Sequence, residues 1–130
     1  MEQPPDFLTL EEVLKIHRVQ LDRWGGQDGV RDIGLLESAV AQPQATFDGE
    51  YLHEDLFAMA SAYAFHIAEA QAFFDGNKRT GLDAALTFLT LNGFRVVDQE
   101  DVLSQAMFQI AGRKMNKVRL ANLLRELAGI

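Results

Sequence analysis

At 130 residues with 48% hydrophobic content, the chain is long enough to bury a core without staples, and one domain over residues 1–130 is expected. The absence of cysteine excludes disulfides, zinc-thiolate sites and a cysteine nucleophile, and a formal net charge of −7 argues against a general nucleic-acid binder, which needs a basic footprint. The N-terminus, MEQPPDF, lacks the basic and apolar regions of a secretory signal, and no apolar stretch is long enough to span a bilayer, so a cytoplasmic protein with no membrane partner is expected.

Met1 to Phe7 form a short polar lead, extended around Pro4 and Pro5. Thr9 to Glu12 have the form of a capping box, and the helix that follows carries Val13, Leu14, Ile16, His17, Leu21 and Trp24 on an apolar stripe. Gly25-Gly26 ends it. His17 and Trp24 are assigned to the interior, since no carboxylate or second histidine is spaced to make His17 a metal ligand. Asp32 caps a second helix, Ile33 to Ala41, which Pro43 discourages from continuing. Gln44 to Tyr51, with its Asp48-Gly49 turn, is irregular or hairpin-like, and His53 beyond it is expected to be exposed.

The third helix, Glu54 to Ala70, is rich in alanine and so allows close approach by its neighbours; it is the expected centre of the bundle. The fourth, Lys78 to Leu91, closes at Asn92-Gly93, and Phe94 to Val97 are extended. Asp98 and Asp101 start a fifth helix with Val102, Leu103, Ala106, Met107 and Ile110 on one face, ending near Gly112. Asn116 caps the sixth, whose Val118, Leu120, Leu123, Leu124 and Leu127 are expected to pack inward. Six helices with short connections make an all-α fold.

The stretch between the third and fourth helices, Gln71-Ala72-Phe73-Phe74-Asp75-Gly76-Asn77-Lys78-Arg79-Thr80, concentrates the chemistry. Gly76 lets the backbone turn or approach a ligand, Asn77 is a suitable N-cap, and the helix start supplies unpaired N–H groups beside two full positive charges on Lys78 and Arg79. An ordinary helix connection with solvated charges would contain many of the same residue types. The stronger reading is an anion cradle, most economically for phosphate.

The run FFDGNKRT, together with FLTLEEVLKIH and GGQDGVRDIGLLESAVAQPQATFDGE, resembles the Fic/Doc (fido) family, whose signature is approximately HPFxDGNKRT or HPFxxGNGRxxR. Lys78 in place of a second glycine and Leu82 in place of a second arginine give the chain the look of the Doc-type, death-on-curing branch. The resemblance implies a compact fido bundle of about six helices, with the 44–51 segment as a flap that helps position a target. It implies transfer of phosphate from ATP to a hydroxyl of elongation factor Tu, with Mg²⁺ held at Asp75, the cradle shaped by Gly76 and Asn77, and phosphate charge neutralised by Lys78 and Arg79. It also implies restraint by a small antitoxin. The catalytic assignments carried over are Gln71, Asp75 and Asn77.

Gln71 occupies the place of the family's catalytic histidine, and Ala72 that of its proline. A glutamine amide has no useful basicity near neutral pH. His66 is no substitute, because five residues along a helix leave it about 140° from position 71. Its place between Tyr63 and Ile67 marks it as a core residue. Two other readings therefore stand beside a phosphotransferase: a fido fold that binds nucleotide and partner without catalysis, and an AMP-transferase, which Lys78 and Leu82 disfavour.

Overall fold

Thr9 accepts from the Glu12 N–H at 3.1 Å while the Glu12 carboxylate accepts from the Thr9 N–H at 3.0 Å, closing the expected capping box at the start of helix α1 (Leu10–Trp24). This computed structural model describes residues 3–130, so the expectation for Met1 and Glu2 lies outside the described residues. The remaining lead is docked rather than loose: the Leu8 N–H donates to the buried Tyr63 hydroxyl at 2.8 Å, and the Phe7 ring stacks on Phe88.

Asp32 caps α2 (Ile33–Ala41) by accepting from the Leu35 N–H, and a short 3-10 turn over Gln42–Gln44 carries Pro43. The hairpin expected next is present in minimal form, with β1 (Thr46–Phe47) antiparallel to β2 (Glu50–Tyr51) and Thr46 opposite Tyr51. Asp55 caps α3 (Leu56–Ala70), accepting from the Ala58 N–H at 2.8 Å, and its other oxygen pairs with Arg125 at 2.6 Å. That pair ties α3 to the end of α6 (Lys117–Leu127).

Helix α3 is the axis of the all-α architecture, packed by α2, α4 (Asn77–Leu91), α5 (Val102–Ala111) and α6. Its alanines permit this. A Cβ placed on Gly81 of α4 would come within 2.7 Å of the Ala64 carbonyl oxygen, so the two backbones touch there. Met59, Tyr63, Ile67, Phe88, Leu89, Leu103, Ile110, Leu120 and Leu124 form one continuous buried cluster. Burying each such side chain stabilises the fold by roughly 1.5–3 kcal/mol before conformational entropy is set against it.

Contrary to the expectation of burial, Trp24 is 60% exposed, since it stands at the very end of α1 where the helix overhangs its neighbours, and Val118 is 70% exposed, since it lies on the far side of α6 from the buried Leu120 and Leu124. Asp101 sits in the left-handed region (φ 57°) and gives α5 no side-chain cap; Asp98 does so instead, accepting from Val102 and Leu103 N–H at 2.8 and 2.9 Å. His53 is half-buried rather than exposed, and His66 is half-buried rather than core. Both Nε2 atoms face Lys117 Nζ, at 3.3 and 3.0 Å. Burial, then the nearby Lys117 and His53, pushes the His66 imidazole down to about 4; burial and Lys117 lower that of His53.

Candidate functional site

Helix α3 stops because Gln71 adopts the left-handed conformation (φ 50°, ψ 38°) and turns the chain back. The returning segment is held by the connection between α1 and α2. The Arg31 guanidinium donates to the Gln71 carbonyl through Nε at 3.0 Å and Nη2 at 2.5 Å. Arg31 and Asp32 N–H both donate to the Ala72 carbonyl, at 2.7 and 3.1 Å, and Val30 pairs with Phe73 in an isolated bridge. Ala72 and Phe73 are buried, which fixes the root of the loop from inside.

At the tip, the exposed Asp75 accepts from the Gln27 N–H through its carboxylate at 2.6 Å. Its carbonyl oxygen is 2.8 Å from Nε2 of His17, which must therefore be the protonated ring nitrogen. The His17 ring is 4% exposed and lies flat on Phe73, with centroids 3.7 Å apart and planes within 7°. Gly26 allows Asp75 in: a Cβ there would lie 3.1 Å from the Asp75 Cβ.

Asn77 is not the N-cap of α4. It is the first residue of the helix, and the cap position belongs to Gly76 in the left-handed region (φ 81°), with no side-chain cap bond. The buried Asn77 amide instead accepts from Phe73 N–H and donates to Phe73 C=O, both at 3.0 Å, clipping the loop shut. Because no side chain caps Gly76, the first amides of α4 keep the positive end of the helix open.

That helix start borders a pocket of about 670 Å³ between α1, α4 and α5, lined by Gly76, Asn77, Lys78 and Arg79 from the loop side. Its two walls are aromatic, and each holds one of the cations. Lys78 Nζ lies 5.3 Å from the Phe108 ring centre and the Arg79 guanidinium 5.2 Å from that of Trp24. Gln20 donates to Asp83 at 2.8 Å on the same lining. Gln71 and Asp75 are not on this lining, and the Gln71 amide donates to its own helix at the Ala68 carbonyl, 2.9 Å away.

Sequence reasoning thus found the four pocket residues of the loop and missed what holds them. Arg31, Gln27 and His17 act from 40 or more positions away in the chain, and their types carry no local signal. The Gly25-Gly26 pair did carry one, since a second glycine beyond a helix end is the mark of close backbone approach. Among the described residues no cluster of three or more His, Asp or Glu could hold a metal, and no helix is long and apolar enough to cross a membrane.

Comparison with known proteins adds three findings. A family model described as the Fic/DOC family matches residues 7–89. The chain is similar to "Toxin Doc" of Mycolicibacterium smegmatis, 38% identical over 126 residues, spanning 95% of this chain and 92% of that protein. It is also similar to "Protein kinase doc" of Escherichia phage P1, 33% identical over 122 residues, spanning 94% and 95% respectively.

Proposed function

The chain belongs to the Fic/DOC family, and from that premise we propose that it is a Doc-like toxin of a toxin–antitoxin module, a single fido domain over residues 1–130 acting as a protein phosphotransferase. It transfers the γ-phosphate of ATP to a hydroxyl of a translation protein of the elongation factor Tu class. The observation that carries this reading is the convergence of Gly76, Asn77, Lys78 and Arg79 on one pocket at an uncapped helix start.

Phosphoryl transfer is mostly positioning and charge stabilisation, and this donor set supplies both. Lys78 and Arg79 neutralise phosphate oxygens, and the amides of the first turn of α4 receive them. The target hydroxyl oxygen bonds to the γ-phosphorus, its proton passes to Asp75 or solvent, the bridging P–O bond breaks, and ADP leaves. Asp75, exposed though off the pocket lining and already accepting from the Gln27 N–H through one oxygen, is the residue that the resemblance gives for Mg²⁺, which takes one or two carboxylates along with substrate phosphates and would supply further charge neutralisation. Gln71 serves at most to orient the target hydroxyl, since its amide is not a base. A small antitoxin is the partner that the Doc relatives imply.

The test is incubation of the purified chain with γ-labelled ATP, Mg²⁺ and a bacterial lysate, followed by intact-mass analysis of labelled protein. Label that adds the mass of one phosphate and disappears in Arg79→Ala supports the reading. An added AMP would replace it with adenylyl transfer. The back-bonded amide of Gln71 favours one second reading, a nucleotide-binding module without turnover. It would prevail if only Gln71→His gave label.

A further inference from the structure

We infer that His17 is a positioning residue of the phosphate cradle: its imidazole sets the orientation of the Asp75–Gly76 peptide and thereby aims the Gly76 N–H at the anion. This inference rests on the nucleotide reading of the loop given above.

In a trans peptide the carbonyl of one residue and the N–H of the next point in opposite directions. The structure has no cis peptide among the described residues, so the direction of the Asp75 carbonyl dictates that of the Gly76 N–H. The Asp75 carbonyl points at His17 Nε2, 2.8 Å away on α1. The Gly76 N–H therefore points away from the His17 ring.

The backbone that follows makes this matter. Gly76 is left-handed (φ 81°, ψ 17°) and Asn77 begins a right-handed helix. Successive residues of opposite hand turn their N–H groups into one concavity, a nest that binds anions. The first member of that nest is the Gly76 N–H, and the peptide that carries it would otherwise be free to rotate at a glycine. Without a fixed Asp75 carbonyl the nest loses its rim.

His17 is well suited to the task. It is 4% exposed, so water does not compete for its N–H, and its ring is held flat on Phe73, the residue that Asn77 clips. A Cβ at Gly76 would lie 3.5 Å from His17 Cδ2, so the ring also backs the glycine directly. One side chain of α1 thus fixes the loop through a stack at Phe73, a contact at Gly76 and a hydrogen bond between them.

Two substitutions separate these contributions. His17→Phe keeps a flat ring on Phe73 and removes the donor; His17→Gln keeps an N–H at about the Nε2 position and removes the ring. Mg-ATP affinity by titration calorimetry, the Gly76 amide resonance by NMR, and the thermal midpoint are compared with those of the unaltered chain. His17→Phe is expected to weaken Mg-ATP by about tenfold and to move the Gly76 amide, with the midpoint little changed, while His17→Gln stays within about threefold. Unchanged affinity and an unmoved Gly76 amide in His17→Phe would overturn the inference. So would losses in both variants that follow their thermal midpoints, since those would mark His17 as packing alone. If the unaltered chain bound no Mg-ATP, the nucleotide reading would fail, and the positioning of the peptide would be decided by the Gly76 amide measured without nucleotide.

Discussion

The Arg31 guanidinium grips the carbonyl of Gln71, a residue 40 positions further on that stands in the left-handed region at φ 50°. A non-glycine side chain there costs about 1–2 kcal/mol, offset by a cation bonded to the carbonyl. Gln71→Gly is expected to raise the free energy of unfolding by up to about 1 kcal/mol, and Gln71→Val to lower it by about 1–2 kcal/mol. Urea denaturation measures both. Equal midpoints would mean that the conformation carries no strain.

Under the proposed phosphotransfer, the same position would limit turnover. Restoring a base by Gln71→His is expected to raise phosphate transfer by ~10²–10⁴, the range of general-base contributions. A single-turnover assay with γ-labelled ATP provides the comparison. An unaltered rate would assign the slow step to something other than proton removal.

The contact between α3 and α4 yields a prediction in which local and tertiary effects oppose. Alanine is the better helix former by ~1 kcal/mol, yet Gly81→Ala is expected to destabilise by about 1–3 kcal/mol, because its methyl would meet the Ala64 carbonyl. A stabilised Gly81→Ala variant would refute the close approach.

At the start of α5, two aspartates three residues apart should respond with opposite signs. Asp98→Ala removes an acceptor for two N–H groups and is expected to cost about 1–2 kcal/mol. Asp101→Gly relieves a positive φ and is expected to be neutral or mildly stabilising. Thermal melts of the two variants would expose a wrong assignment if the order were reversed.

The His53–His66–Lys117 group makes stability depend on pH. The His66 pKa is depressed to about 4 in the fold, against an ordinary value of 6.5, so between those values the unfolded chain binds the extra proton. The stability contributed by the neutral ring is fully present above about pH 6.5 and is lost as pH falls toward 4. Urea midpoints should therefore decline across that window, and His66→Gln should flatten the decline. An unchanged slope in that variant would assign the effect elsewhere.

How much of this was legible in the sequence depends on the range of the cause. Caps at Thr9, Asp32 and Asn116 are local chemistry, and each stands where the residues placed it. Trp24 shares the buried face of α1 but stands at its last residue, where the pattern does not say that the neighbouring helices have ended, and Val118 is apolar without lying on the buried face of α6. His66 was read from its helical position, but its surroundings are set by Lys117, 51 residues away. Asn77 has the type of a cap, and Phe73 claims its amide through the turn of the loop. The loop residues were legible as a motif; what holds them comes from His17 on α1 and from Gln27 and Arg31 in the connection between α1 and α2.

Trp24 is the sole tryptophan of the chain, and it lies under the Arg79 guanidinium at the mouth of the cradle. Its emission is therefore a single-site optical signal located where phosphate would enter. A ligand that draws Arg79 away from the indole changes the charge against the chromophore and so shifts the fluorescence. On the phosphate reading, the molecule would carry a native, label-free reporter of its own occupancy, suited to stopped-flow timing of each arrival and departure.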